Sequence, residues 1–252
     1  MDNTIFISDL HTPYHHRDTL PFLRAIKDEY DIVIAKSVGD IADNHTGSFH
    51  PIEYGTHSAR DEHRLAKRFI QSLNSLFPKM TVSLGNHCIM SERKAKLAGI
   101  PLDHIKGYNE MYGIEGWDWV FKDYFKVDKY NNCLMVHAMG MNTLTNAKTH
   151  SHHSVQGHHH GTFGIEYFAD TEVLRWSMTV GCLIDTTSNA FNYSKGFTNK
   201  KPILGVGALI ENRPVLIPMQ LTKSSRWNGV VQYDHRLYTD TNDLRFVHAH
   251  GH

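Results

Sequence analysis

The stretch TIFISDLH, residues 4–11, decides how this chain is read. Thr4 to Ser8 is a short apolar, β-branched run, the pattern of a strand buried in a sheet. It stops at Asp9-Leu10-His11, an acid and an imidazole two positions apart. A buried strand ending in polar groups recurs twice. Asp31 to Ala35 (DIVIA) reads as a second buried strand and leads to Gly39-Asp40, then to Asp43-Asn44-His45. Met80 to Leu84 reads as a third and is followed by Gly85-Asn86-His87. Open α/β sheets gather their sites beyond the carboxyl ends of strands, which is where all of these polar groups fall.

Helices separate these strands. Asp18 to Glu29 carries Leu20, Leu23 and Ile26 as an apolar stripe, with Asp18 or Thr19 placed to cap it and Pro21 tolerable in its first turn. Ser58 to Phe77 is the clearest helix, with Leu65, Phe69, Ile70, Leu73, Leu76 and Phe77 at helical spacing. Beyond it strands dominate: Trp117 to Val127, Cys133 to Val136, Ile165 to Ala169, Val173 to Val180, Ile203 to Ile210 and Val215 to Met219. Strand–helix–strand–helix–strand followed by mostly strands predicts an α/β layered domain, its mixed sheet completed by late antiparallel strands. Residues 222–252 are polar and irregular, so the domain is expected over residues 1–221 and the remainder as an extension or tail.

A chain of 252 residues with 40% hydrophobic content suits one sizeable domain. Lys+Arg and Asp+Glu are equal at 26 each, so bulk charge does not call for a polyanionic partner. Cys88, Cys133 and Cys182 are odd in number and unpaired in spacing; neither a disulfide framework nor a cysteine zinc site is expected, and a reducing, cytoplasmic setting is. The first residues lack a basic region, so no signal peptide is expected. Nor does any run of about 18 apolar residues predict a membrane span.

Histidine is the outlier, at twenty residues. Two more clusters join the three above. His137 directly follows the apolar run Cys133 to Val136, and Gly157-His158-His159-His160 closes a His-rich stretch. His150, His152 and His153 compete with His137, which the preceding strand favours. In the last cluster Gly157 picks out one register. Each motif alone is common; their order is what carries weight. Carboxylate oxygen and imidazole nitrogen suit manganese, iron or zinc better than thiolate-seeking ions. Two such ions about 3.5–4 Å apart need a ligand with two oxygens between them, which an Asp supplies and a His does not. His15 and His16, close behind the first motif, read as surface loop residues rather than pocket lining; Trp117 and Trp119 alternate as core residues would; His248, His250 and His252 read as a polar terminus.

D-x-H, G-D, G-N-H, a lone His and G-H-x-H, in that order from residue 9 to residue 160, resemble the calcineurin-like metallophosphoesterase superfamily. The surrounding sequence is similar to small phosphoesterases encoded by bacteriophages, for which the compartment is the host cytoplasm. The resemblance implies layered mixed sheets, a β-sandwich flanked by helices, with a dinuclear metal site at strand ends. It implies two divalent ions, manganese foremost, with iron, zinc or nickel as alternatives. Asp9, His11 and His160 would hold the first, Asp40 would bridge, and Asn86, His137 and His158 would hold the second. Hydrolysis of a phosphoester would proceed by a hydroxide held between the metals, with His87 as general acid and Asp43 orienting it.

Two departures bear on substrate. Protein phosphatases of the superfamily carry an Arg where this chain has Asn44, which argues against a phosphoprotein and for a phosphodiester or nucleotide. Cys88 follows G-N-H where most members have Asp or Glu. Asn44, His45 (in place of a family Gly) and Arg93, with Lys94 beside it, are the candidate substrate contacts. The rival readings are a repair-type nuclease acting on DNA, a nucleotide phosphomonoesterase and, from a different class, a non-catalytic binding scaffold on the same fold. Oligomeric state is not legible.

Overall fold

The computed structural model describes residues 2–47, 57–127, 131–138, 142–171, 173–188 and 201–233. In chain order its strands are β1 (Thr4–Ile7), β2 (Ile34–Ser37), β3 (Met80–Ser83), β4 (Trp117–Val120), β5 (Lys122–Lys126), β6 (Asn132–Val136), β7 (His153–Gln156), β8 (Phe163–Ala169), β9 (Leu174–Val180), β10 (Gly205–Ile210) and β11 (Arg213–Pro218). Its α-helices are α1 (Thr19–Glu29), α2 (Ala59–Leu76), α3 (Met90–Leu97), α4 (Tyr108–Tyr112) and α5 (Thr143–His150).

The strands form two sheets, ordered β11-β10-β1-β2-β3-β4 and β5-β6-β7-β9-β8. β1 to β4 run parallel, and β10 joins β1 antiparallel with Ile5 opposite Ala208. In the second sheet β6, β7 and β9 run parallel and the two edge strands antiparallel. β1 explains the continuous apolar run at the start of the chain. Ile5 and Ile7 belong to one core cluster, with Phe22, Leu23 and Ile26 of α1 and Phe69, Ile70 and Leu73 of α2. Phe6 belongs to the other, with Met135, Val155, Trp176 and Met178 of the second sheet. The first sheet is thus covered by helices on one face and by the second sheet on the other. The architecture is the expected layered α/β one.

Several expectations need correction. β2 starts at Ile34 rather than Asp31: Asp31 takes a left-handed backbone (φ 46°) and the Ile32 amide bonds back to Lys27 O at the end of α1. The strand then continues through Lys36, a buried lysine paired with Asp123 at 2.5 Å. The run Trp117 to Val127 is two strands, β4 in the first sheet and β5 in the second. The second half is mostly strands, as expected; its sequence did not announce β7 or the helix α5 before it, nor the short helices α3 and α4 between β3 and β4.

Ser58 caps α2, its side chain accepting from the Asp61 amide. At α1, Asp18 makes no such cap bond. Its carboxylate accepts instead from Arg226 Nε at 2.8 Å, Arg226 Nη2 at 2.7 Å and the Trp227 amide at 2.9 Å. Trp227 meets Phe22 edge-on, and Val231 is buried, so residues 222–233 fold back over α1. His248, His250 and His252 lie outside the described residues. Among the described residues no helix is long and apolar enough to cross a membrane.

Candidate metal centre

The ends of β1, β2 and β3 meet at one edge of the first sheet, tied by backbone bonds. Asp9 N donates to Gly39 O at 3.0 Å, His11 N to Asp40 O at 2.9 Å and Asp43 N to Thr12 O at 3.0 Å. Asp9, His11, Asp40 and His158 all adopt positive φ, at 49°, 47°, 46° and 67°. A non-glycine residue in that region costs roughly 1–2 kcal/mol, and such strain gathers where a site needs its side chains aimed.

Both carboxylates are split in function. Asp9 Oδ2 accepts from the His158 amide at 2.8 Å and from the Ser8 hydroxyl, while Oδ1 lies 3.1 Å from His160 Nε2 and 3.5 Å from His11 Nε2. Asp40 Oδ1 accepts from the amides of His87 at 2.9 Å and Cys88 at 3.3 Å, while Oδ2 lies 3.0 Å from His137 Nε2 and 4.0 Å from His11 Nε2. The imidazoles are fixed from behind. His11 Nδ1 bonds Asp43 Oδ1 at 2.6 Å, and His137 Nδ1 donates to Val38 O at 2.9 Å. Asn86 Oδ1 stands 3.1 Å from His137 Nε2. Three ligand groups result, each with its donor atoms within 4.8 Å: Asp9–His11–His160, Asp40–His137–His158, and His11–Asp40–His87 across the middle.

Two glycines make this approach feasible. A Cβ on Gly85 would fall 2.5 Å from Asp40 Cγ and closer still to Oδ1. A Cβ on Gly157 would fall 2.7 Å from Asp9 Oδ2 and closer still to Ser8 Oγ. The Gly that picks out the register of His158 and His160 therefore does so by letting the chain pass against Asp9.

The electrostatics are those of carboxylates balanced by imidazoles. Burial alone would raise the Asp9 carboxyl, yet His137 and His160 hold it well below the usual carboxylate range. Asp40 behaves alike: burial opposes its charge, and His137 brings it down to about 2. Burial pulls His11 down, but Asp43 and Asp9 outweigh it and raise the ring to about 10. His137 is raised against burial by Asp40 and Asp9 to about 9. His158 is lowered by burial and by His137. Such mutual perturbation clusters at functional sites.

The sequence matches the calcineurin-like phosphoesterase family profile over residues 3–182, which spans β1 to β9 and every ligand above. The chain belongs to the calcineurin-like phosphoesterase family. Curated proteins gave no match by sequence. Among solved structures, Vacuolar Protein Sorting 29 from Cryptosporidium parvum aligns with TM-score 0.46 and 14% identity over 88% of this chain and 92% of its own. The phosphoesterase Yfce from E. coli aligns with TM-score 0.46 and 13% identity over 92% and 100%. The nuclease MPE from Pseudomonas putida aligns with TM-score 0.34 and 13% identity over 84% and 85%. These likenesses are distant.

In this calcineurin-like phosphoesterase the other polar residues singled out by the sequence surround the ligand groups unevenly. His87 Nδ1 donates to the Asp43 carbonyl at 2.6 Å, and Asp43 Oδ1 is 3.2 Å away; the nearer partner of that carboxylate is His11. Asn44 donates its amide to His87 O at 2.9 Å, bracing the Gly85-Asn86-His87 turn. His45 is buried, its Nδ1 3.8 Å from Asp43 Oδ2. Arg93 lies exposed on α3, and Lys94 Nζ reaches Thr46 O at 3.4 Å. His16 is buried rather than superficial, Nε2 bonding Ser225 O at 3.1 Å, and His15 packs on Phe69. His153 stacks on Trp176 and accepts from its amide, away from the ligand groups. Trp117 is core, its indole bonded to Phe77 O.

Sequence reasoning did not pick out Ser8, the Val38 carbonyl or Glu62. Ser8 directly follows β1 and precedes Asp9, and Val38 directly follows β2 and precedes Gly39-Asp40, so adjacency to a motif was the available signal. Glu62, inside a helix with other charged residues, offered none.

Proposed function

We propose that this chain is a divalent-metal-dependent phosphoesterase acting on a phosphodiester or a nucleotide. Asp9, His11, Asp40 and His160 would surround one ion, and Asp40, Asn86, His137 and His158 the other. One observation carries the reading. Asp9 and Asp40 each engage backbone amides through one oxygen and turn the other toward Nε2 atoms whose rings are held from behind. That is the support metal ligands require. The donor set fits: hard oxygens and imidazoles, with no thiolate at the centre, favour manganese, iron or zinc. When bound, such ions neutralise phosphoryl charge and make water acidic enough to act as a nucleophile near neutral pH.

The chain's own groups do the rest. His87 gives Nδ1–H to the Asp43 carbonyl, which leaves Nε2 to carry a proton to the leaving oxygen. Its side chain is 14% exposed, enough to regain that proton from solvent. Asp43 holds His11 and His87 through one carboxylate and one carbonyl, so ligand and proton donor share a support. Where protein phosphatases of the family place an Arg, Asn44 is occupied with the His87 carbonyl. A site without that guanidinium is better matched to the single negative charge of a diester than to a dianionic monoester.

The test compares bis-p-nitrophenyl phosphate with p-nitrophenyl phosphate on protein stripped by chelator and resupplied with manganese. Metal-dependent cleavage with the diester faster is expected. A faster monoester would overturn the diester preference and leave a nucleotide monoester as the substrate class. Cleavage of neither by the metal-loaded protein would favour a binding scaffold instead.

A further inference from the structure

Glu62 sits in the first turns of α2, 3% exposed, and among the described residues no lysine or arginine pairs with it. Burial and the nearby Asp43 push its carboxyl up to about 7. Both its oxygens turn to the backbone of another segment. Oε1 accepts from the His45 amide at 2.7 Å and Oε2 from the Thr46 amide at 3.4 Å. These are the first N–H groups of a single 3₁₀ turn, His45–Gly47, and the first N–H groups of a helix lack partners within it. Glu62 therefore caps this turn from a different helix.

What precedes the turn matters more than the turn itself. Asp43 and Asn44 lie directly before it, Asn44 with a left-handed backbone (φ 49°). Asp43 is tied on its other side by its own amide to Thr12 O. The segment is held at two points, Thr12 before and Glu62 after, and between them Asp43 presents its carboxylate to His11 Nδ1 and its carbonyl to His87 Nδ1, each at 2.6 Å. Asn44 adds its bond to the His87 carbonyl.

Resting on the phosphoesterase reading above, we infer that Glu62 is a positioning residue for the proton donor: by pinning residues 45 and 46 it fixes the Asp43 carbonyl that sets the His87 ring. A loosened turn would leave the metal ligands in place, because the Asp43 amide stays on Thr12 O and keeps its carboxylate on His11, while the Asp40 carboxylate keeps the amides of His87 and Cys88. It would leave His87 free to turn. Such a loss shows only where the leaving group needs a proton.

The experiment uses the full chain, manganese-loaded, as wild type, Glu62→Ala and Glu62→Gln. One substrate is bis-p-nitrophenyl phosphate, whose leaving group departs as a stable anion. The other is a dinucleotide diester, whose alkoxide needs protonation. Glu62→Ala is expected to keep two manganese ions per chain and to turn over the aryl diester within about threefold of wild type. It should cleave the dinucleotide at least about tenfold more slowly, because general acids contribute about 10²–10⁴-fold. Glu62→Gln retains an oxygen for the His45 amide and should restore most of the dinucleotide rate. Equal losses on both substrates, or none, would overturn the assignment. If wild type cleaves neither substrate, the phosphoesterase reading fails, and the positioning claim is decided by ring-nitrogen NMR signals of His87, with those of His11 as the internal reference. The His87 signals should move in Glu62→Ala and return in Glu62→Gln while those of His11 hold; unchanged His87 signals would overturn it. Should Glu62→Ala not fold, Glu62→Asp, one methylene short, serves in its place.

Discussion

Gly85→Ala adds one methyl group, replaces no ligand, and should still dismantle the centre. Gly85 has no positive φ, so alanine meets no backbone penalty there, and from chain entropy alone the change would stabilise by about 0.4–1 kcal/mol. The contact decides otherwise. The new Cβ would lie 2.5 Å from Asp40 Cγ and 2.8 Å from the Asp40 amide nitrogen, against an ordinary separation of about 3.5 Å. The Asp40 carboxylate has to retreat by about 1 Å or more. Retreat weakens the amide bonds from His87 and Cys88 to Oδ1; hydrogen bonds to a charged group are worth about 1.5–3 kcal/mol, and overpacking adds about 1–3 kcal/mol. A net destabilisation of about 3–5 kcal/mol follows, or a Tm lower by about 10 °C for a domain of this size. Manganese affinity should fall by about 10–100-fold, the usual cost of disturbing a ligand's support. Calorimetry in chelator and manganese titration by isothermal calorimetry measure both. Wild-type manganese affinity in a folded Gly85→Ala would refute the claim that Gly85 exists to admit Asp40.

Other expectations follow from the same geometry. His87→Ala should leave manganese binding intact and slow a dinucleotide diester far more than an aryl diester; an unchanged ratio of the two rates would remove His87 from the proton-donor role. In chelator the protein should lose stability as pH rises from about 6.5 to the raised values of His137, about 9, and His11, about 10, since a raised imidazole pKa stabilises the fold only while the ring is protonated. With manganese bound the trend should reverse over that window, because the metal competes with protons for the same nitrogens; melting curves across pH in chelator and in manganese would show it. Asp18, lowered to about 2 by Arg226 against some burial, contributes stability above about pH 4 that is lost as pH falls toward 2. The stability gap between wild type and Asp18→Asn should close over that interval and stay constant near neutrality.

Much of this was legible because apolar runs and polar breaks coincide with structure. β1 and β3 are buried apolar strands, and their sequence ends where the site begins. Most of the ligands were readable because Asp9 and His137 come at a strand end, and Asp40, Asn86 and His158 directly after a glycine that nothing larger could replace. What was not legible is polar and buried. β2 carries Lys36 and Ser37 inside, and β7 reads His-Ser-Val-Gln with all four buried, so neither shows an apolar pattern along its full length. α5 packs through Thr143, Asn146 and Ala147, with no apolar stripe to announce a helix. The docking of residues 222–233 depends on Asp18 meeting Arg226, a pair 208 positions apart that local periodicity does not see. Glu62 was hidden for the same reason, its partners being backbone amides of a turn 16 and 17 residues upstream.

The central claim is that two divalent ions, bridged by Asp40, make this chain a phosphoesterase. The most direct test titrates manganese into chelator-stripped protein and follows the initial rate of bis-p-nitrophenyl phosphate hydrolysis, with Asp40→Asn alongside. The account expects turnover to rise to a plateau at two equivalents per chain and Asp40→Asn to show none. A rate independent of metal, a plateau at one equivalent, or undiminished turnover in Asp40→Asn would contradict it.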